Sequence, residues 1–155
     1  MRIVSGGQTG VDRAALDAAI WAGLDHGGWC PLGRVAEDGR IPRRYKLIQT
    51  ASSSYAVRTE KNVADSDGTL ILCQGPLTGG TQFTYRMTQK HGRPCLCVDL
   101  NDEPLSTNVV IQWLRENQID VLNVAGPRES TSPGIFEDAY RYLREVLETW
   151  ERDDA

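Results

Sequence analysis

Ile3-Val4-Ser5-Gly6-Gly7-Gln8-Thr9-Gly10-Val11-Asp12-Arg13 reads as a short apolar strand that turns through three glycines into a helix. The residues behind it include Ala14, Ala15, Ala18, Ala19 and Ala22, small enough for that helix to lie close on a sheet. A helix entered this way points its free backbone N–H groups and the positive end of its dipole back toward the strand end. A phosphate-like anion suits that position.

The same alternation continues along the chain. Strand patterns fall at Arg2 to Ser5, Gly28 to Cys30, Thr69 to Cys73, Pro94 to Leu100 and Asp120 to Ala125. Between them the spacing predicts helices from Asp12 to Ala22, from about Val57 to Ala64, from Gly79 to Gly92 with Phe83 and Met87 inward, and from Thr107 to Asn117. A last helix has Ser132 as N-cap and Pro133 at its first position. Parallel crossovers are right-handed and place helices over the sheet, so this order predicts an α/β fold. It is a Rossmann-like three-layer sandwich with a mostly parallel sheet of about five strands, one domain over residues 1–155. A long loop at about 31–55 interrupts the pattern and reads as a binding lid or an oligomer contact.

The net charge of -4 argues against a nucleic-acid partner or a membrane surface, both of which need a basic face. No apolar run approaches the ~18 residues of a membrane span, and the N-terminus does not read as a secretory signal. The four cysteines, Cys30, Cys73, Cys95 and Cys97, lack the two close pairs of a zinc site, so no metal is expected. They read as reduced core residues, Cys95 and Cys97 sharing one face of a buried strand, in a cytoplasmic setting.

In a parallel α/β sheet the ligand crevice lies outside the carboxyl ends of the strands. Three such ends carry unusual chemistry: Ser5 to Gly10, Gln74 to Thr81, and Gly126 to Ser130. Their convergence makes Gly6, Gly7, Gln8, Thr9, Gly10, Asp12, Arg13, Gly79, Gly80, Thr81, Gly126, Pro127, Arg128, Glu129 and Ser130 the candidate ligand-binding residues. Gly6 to Gly10 would cradle phosphate through backbone N–H groups, and Arg13 and Arg128 would neutralise it. Arg13 could instead form a surface pair with Asp12 or Asp17, and Arg128 could pair with Glu129. Val11-Asp12-Arg13 after Gly10 is not the Gly-Lys-Ser/Thr of a P-loop. Ser5 and Cys30-Pro31 stand where a dinucleotide fingerprint needs glycine and an acid.

These residues resemble a known family. Ser5 through Asp17 is similar to the opening of the molybdenum carrier proteins, circularly permuted YpsA-like members of the SLOG superfamily. The resemblance continues through Gly28-Trp29-Cys30-Pro31, Ala36-Glu37-Asp38-Gly39, Ile41-Pro42, Arg58-Thr59-Glu60, Asn62-Val63 and Ser66-Asp67. It ends with Leu77-Thr78-Gly79-Gly80-Thr81 and Asn123-Val124-Ala125-Gly126-Pro127-Arg128-Glu129-Ser130. It implies a Rossmann-like domain that binds a nucleotide or a pterin-like ligand such as molybdenum cofactor at its glycine-rich loops. Hydrolase members of the wider superfamily carry Gly-Gly-x-Gly-Thr-x-x-Glu, whose Glu takes part in cleaving an N-glycosidic bond. Thr84 stands at that place here.

Two functions follow as expectations. The first is a small-molecule binding protein, a carrier or sensor for a phosphorylated nucleotide-like or pterin-like ligand. The second is a nucleoside-monophosphate phosphoribohydrolase, an N-glycosidase in which Asp12, Glu37 or Glu129 would replace the missing carboxylate. Either would self-associate as a homo-oligomer, with Trp21, Trp29 or Tyr55 as anchors.

Overall fold

The computed structural model describes residues 1–101 and 103–154. In chain order the elements are β1 (Arg2–Val4), α1 (Val11–Trp21), β2 (Asp25–Gly27), β3 (Trp29–Cys30), β4 (Val35–Ala36), β5 (Gly39–Arg40) and β6 (Ile48–Gln49). There follow α2 (Tyr55–Ala64), β7 (Gly68–Cys73), α3 (Gly79–Lys90), β8 (Cys95–Asp99), α4 (Thr107–Glu116), β9 (Val121–Ala125) and α5 (Ile135–Asp154). Five strands make one parallel sheet in the order β2-β1-β9-β7-β8. Ile3 stands between His26 and Leu122, and Leu70 between Val124 and Leu96. The expected α/β sandwich with a five-stranded parallel sheet is the fold observed. None of the described helices is long and apolar enough to cross a membrane.

The two faces of the sheet differ in chemistry. Successive side chains of a strand alternate between faces. Leu70, Leu72, Leu122, Val124 and Val98 therefore project to one side, where they pack with α1, α4 and α5 in an aliphatic core. The Ala14, Ala15, Ala18 and Ala19 stripe is fully buried there, as its small size predicts. The opposite side is polar. Thr69 and Asn123 are buried and hydrogen-bonded to each other at 3.2 Å, and Thr59, Asn62, Thr81, Thr84 and Thr88 of α2 and α3 are buried as well. The inner face of α3 is thus its threonines, whereas Phe83 and Met87, expected inward, stay half-buried. Thr84 and Thr88 can be buried because their hydroxyls donate within the helix, to Gly80 O at 3.0 Å and Tyr85 O at 2.6 Å.

Other expectations are corrected. The second strand of the main sheet is Asp25–Gly27, and Trp29–Cys30 pairs with Ile48–Gln49 in a separate ladder, because the chain turns at Gly28. The long segment is not a bare loop. It contains the β4-β5 hairpin and β6, and its Ile41 and Tyr45 pack with Leu16, Cys30 and Ala36 as a second small core. The last helix starts at Ile135, not at Pro133, because Gly134 has φ 91, outside helical backbone.

Strand β8 lies at the sheet edge, so Cys95 is only half-buried and Cys97 is exposed rather than buried with it. The neighbouring Cys95 thiol holds the Cys97 thiol below its ordinary range. Burial pushes Cys73 up to about 11 and raises Cys30 as well. Thiolate is the nucleophile. Iodoacetamide at about pH 8 is therefore expected to label Cys97 first, leaving Cys30 and Cys73 unmodified until the chain unfolds. Peptide mass spectrometry over a time course checks the order, and early labelling of Cys73 would contradict it.

Candidate functional site

The loops after β1, β7 and β9 meet at the carboxyl edge of the sheet. There α3 leaves β7 toward the polar face while α1 and α5 leave their strands toward the aliphatic one, so the sheet parts at a topological switch point. A cavity of ≈ 490 Å³ opens there. Its walls include Gln8 and Asp12, Tyr55, Arg58 and Thr59 at the start of α2, Thr78 to Thr81 at the start of α3, and Gly126 to Arg128 with Ser130.

Some donors of the first loop are taken up by the protein itself, whereas among the described residues the N–H groups of Gly6, Gly7 and Gly10 meet no acceptor. Gln8 N–H donates to Asp12 Oδ2 at 3.2 Å, Val11 N–H to Pro127 O at 3.3 Å, and Arg13 N–H to Gln8 O at 3.2 Å. Glycine at position 6 has a steric cause. A Cβ there would lie 2.5 Å from Arg58 Nη1, so its absence lets the guanidinium pass. Gly7 and Gly10 likewise meet side chains and backbone of neighbouring loops and do not line the cavity, and neither does Thr9. Arg13 also points elsewhere. Its guanidinium engages both carboxylate oxygens of Asp38, and its Nε donates to Gly7 O at 3.1 Å. The partner is neither Asp12 nor Asp17, and the hydrogen bonds from Arg13 hold the Asp38 carboxyl below its ordinary range.

The start of α3 also presents free donors, and these line the cavity. Thr78 offers no side-chain cap, and the N–H groups of Thr81 and Gln82 turn back to Thr78 O at 3.1 and 3.2 Å. Among the described residues those of Gly79 and Gly80 have no such acceptor, at the positive end of a 12-residue helix. Opposite stands a cationic wall. The Arg58 and Arg128 guanidinium carbons each lie 5.3 Å from the centroid of the Tyr55 ring. Arg58 Nη1 is also 3.7 Å from Asp12 Oδ2, deep in the cleft. Burial pushes the Asp12 carboxyl up, against the opposing pull of Arg58 and the Gln8 N–H.

The remaining candidate carboxylates are occupied. Glu129 accepts Gly134 N–H at 2.6 Å and Phe136 N–H at 3.1 Å, so it caps α5 and does the work expected of Ser132. Glu37 accepts the Ser130 hydroxyl at 2.9 Å and the Ser130 N–H at 3.3 Å. Asp12 is the one carboxylate among the described lining residues. Sequence reasoning did not select Arg58 or place Tyr55 in the site. Their spacing of three puts them on one face of a helical first turn, where an arginine opposes the helix dipole and calls for an explanation.

A parallel sheet wound on both faces, with a polar cleft at its switch point, defines a Rossmann-like α/β domain. Within that class the chain belongs to the circularly permutated YpsA SLOG family, whose model matches residues 3–147. A crystal structure from Syntrophus aciditrophicus SB, of a protein provisionally named a molybdenum carrier protein, superposes with a TM-score of 0.89. That protein is 45% identical, over 94% of this chain and 94% of its own. Among curated proteins nothing matches.

Proposed function

We propose that the chain binds a small phosphorylated ligand carrying a planar ring, of the nucleotide or pterin kind, and carries or senses it rather than turning it over. The observation that carries this reading is the uncapped start of α3, facing Arg128 and Tyr55 across one cleft. Helix N-termini and unpaired guanidinium groups both favour an anion. Among the described residues Arg128 makes no ion pair and its charge acts on Glu37 only from a distance, so a phosphate in the cleft can pair with it. The name of the Syntrophus protein supports a molybdenum-related ligand as one member of this class.

Hydrolysis of an N-glycosidic bond is disfavoured. Thr84 donates to Gly80 O, Glu129 caps a helix, Glu37 is bound to Ser130, and Asp12 faces Arg58 as its counter-ion. The hydrolase alternative therefore rests on Asp12 alone.

Calorimetric titration with adenosine monophosphate, adenosine and inorganic phosphate tests the reading. The monophosphate is expected to bind well above the nucleoside. Arg128→Ala is expected to weaken it tenfold or more, since a charged hydrogen bond is worth about 1.5–3 kcal/mol. Equal affinity for nucleoside and nucleotide would refute the phosphate site. Release of free base after long incubation would restore the hydrolase.

A further inference from the structure

Cys95 and Cys97 are the two cysteines that lie close in sequence, and the fold gives the pair a definite geometry. They are the first and third residues of β8, which keeps regular parallel register with β7 from Thr69 opposite Cys95 to Cys73 opposite Asp99. Alternate residues of a strand share a face, so both thiols project to the side of Thr69, away from Val98 and the aliphatic core. Strand β8 is the outer one, Cys95 is half-buried on it, Cys97 is exposed, and the two thiols interact with each other. Neither belongs to the walls of the cleft, so this pair stands apart from the ligand site and from the reading of it given above.

The spacing opposes one reaction and suits another. Two residues along a strand separate the Cβ atoms by about 6.6 Å, whereas a disulfide holds its Cβ atoms about 3.8 Å apart. Joining the sulfurs directly would break the strand. A metal ion between them asks for much less. Two metal–sulfur bonds of about 2.3 Å laid end to end span about 4.6 Å, so each side chain has to lean along the strand by only about 1 Å. Such a bridge is two-coordinate. A tetrahedral zinc site needs further ligands, and among the described residues no group of three histidines, cysteines or carboxylates converges on one point. The two further candidates on that face are engaged. The Cys73 thiol donates to Val98 O at 3.6 Å and burial keeps its proton in place, while Asp99 accepts Gly75 N–H at 3.2 Å and Asn101 N–H at 2.9 Å. Thiolates select soft cations, and copper(I) is a soft cation that accepts two ligands in a line.

We infer that Cys95 and Cys97 form a two-coordinate thiolate site for a soft monovalent cation of the copper(I) kind, on the open edge of the sheet. Binding makes two metal–sulfur bonds and releases the protons of both thiols, with no change in the oxidation state of metal or sulfur. The exposed Cys97, whose neighbour makes it the readier thiolate, takes the cation first, and Cys95 closes the bridge.

Anaerobic competition for copper(I) against the chromogenic chelator bicinchoninate tests the site, with X-ray absorption spectroscopy of the copper to count its ligands. The chain is expected to take up one copper(I) with two sulfur neighbours. Cys95→Ser and Cys97→Ser are each expected to weaken binding by roughly a hundredfold or more, because the second bond loses its tether. Cys73→Ser should bind as wild type does, and melting temperatures report that the variants are folded. If Cys95→Ser fails to fold, Cys97→Ser carries the test, since its side chain is exposed. Copper(I) affinity unchanged in Cys97→Ser, failure of the wild type to take copper(I) from the chelator, or zinc(II) held as tightly as copper(I) would each overturn the site. Half an equivalent of copper on a chain doubled in mass would overturn it as well, because the Cys97 thiols of two copies would then supply the sulfurs.

Discussion

Gly10→Ala is expected to lower stability by about 4 kcal/mol, the sum of backbone strain at roughly 1–3 and overpacking at roughly 1–3. Gly10 has φ 77 and ψ -130, a pair of angles that a side chain on Cα opposes, and a Cβ would stand 2.4 Å from Pro127 O. The obstacle is backbone, so no rotamer change relieves it. The seam on either side is made by Val11 N–H to Pro127 O and by Glu129 N–H to Thr9 Oγ1 at 3.1 Å. Parting the two loops would also carry Arg128 away from Tyr55, so ligand affinity falls with stability. Against typical stabilities of about 5–15 kcal/mol this is a large fraction, and the melting temperature should drop by about 10 °C. Gly80→Ala is the control. Nothing lies within 4 Å of the added methyl, and the site is helical, so stability should hold or rise by up to ~1 kcal/mol. Urea unfolding of the pair decides the matter: a Gly10→Ala variant within 1 kcal/mol of wild type would show that the seam yields.

The fold was legible because it is written in local patterns. The alanine stripe of α1 and the apolar run of β7 each specify their own burial, and alternation of strand and helix specifies the sheet. The region of the site was legible for the same reason, since parallel topology sends three glycine-rich strand ends to one edge. Individual roles were not. Gly6 and Gly10 look like a phosphate cradle in sequence, but no local pattern shows that a Cβ at either would also collide with Arg58 or Pro127. Arg13 finds its partner at Asp38, twenty-five residues away, and no spacing rule announces a pairing across that distance. Glu129 serves α5 across a turn whose geometry depends on the Thr9 contact. The edge position of β8, which exposes Cys97, follows from strand order, and strand order is a property of the assembled sheet.

Arg34→Ala is expected to melt the segment from residue 31 to about 50 while leaving the main sheet folded. The Arg34 side chain is buried at the centre of that segment and donates to four of its carbonyls. Nε reaches Ile41 O at 3.2 Å, Nη2 reaches Pro42 O and Tyr45 O at 2.8 and 2.9 Å, and Nη1 reaches Leu47 O at 3.4 Å. Each buried carbonyl left without a donor costs about 1–3 kcal/mol. Water entering a surface segment offsets part of that, which leaves a local loss of about 4 kcal/mol. Arg34→Lys should recover little, because three donors at one point cannot match a planar fork directed at four acceptors. The consequence reaches the cleft through Glu37 N–H, which fixes the Gln8 amide, and through Asp38, which holds Arg13. Trypsin reports the change directly, since Arg40, Arg43, Arg44 and Lys46 lie in the segment. Cleavage there should accelerate tenfold or more in both variants, nucleotide affinity should fall, and far-ultraviolet dichroism from the helices should persist. An unchanged cleavage rate would mean that Ile41 and Tyr45, packed on Leu16, hold the segment without the guanidinium.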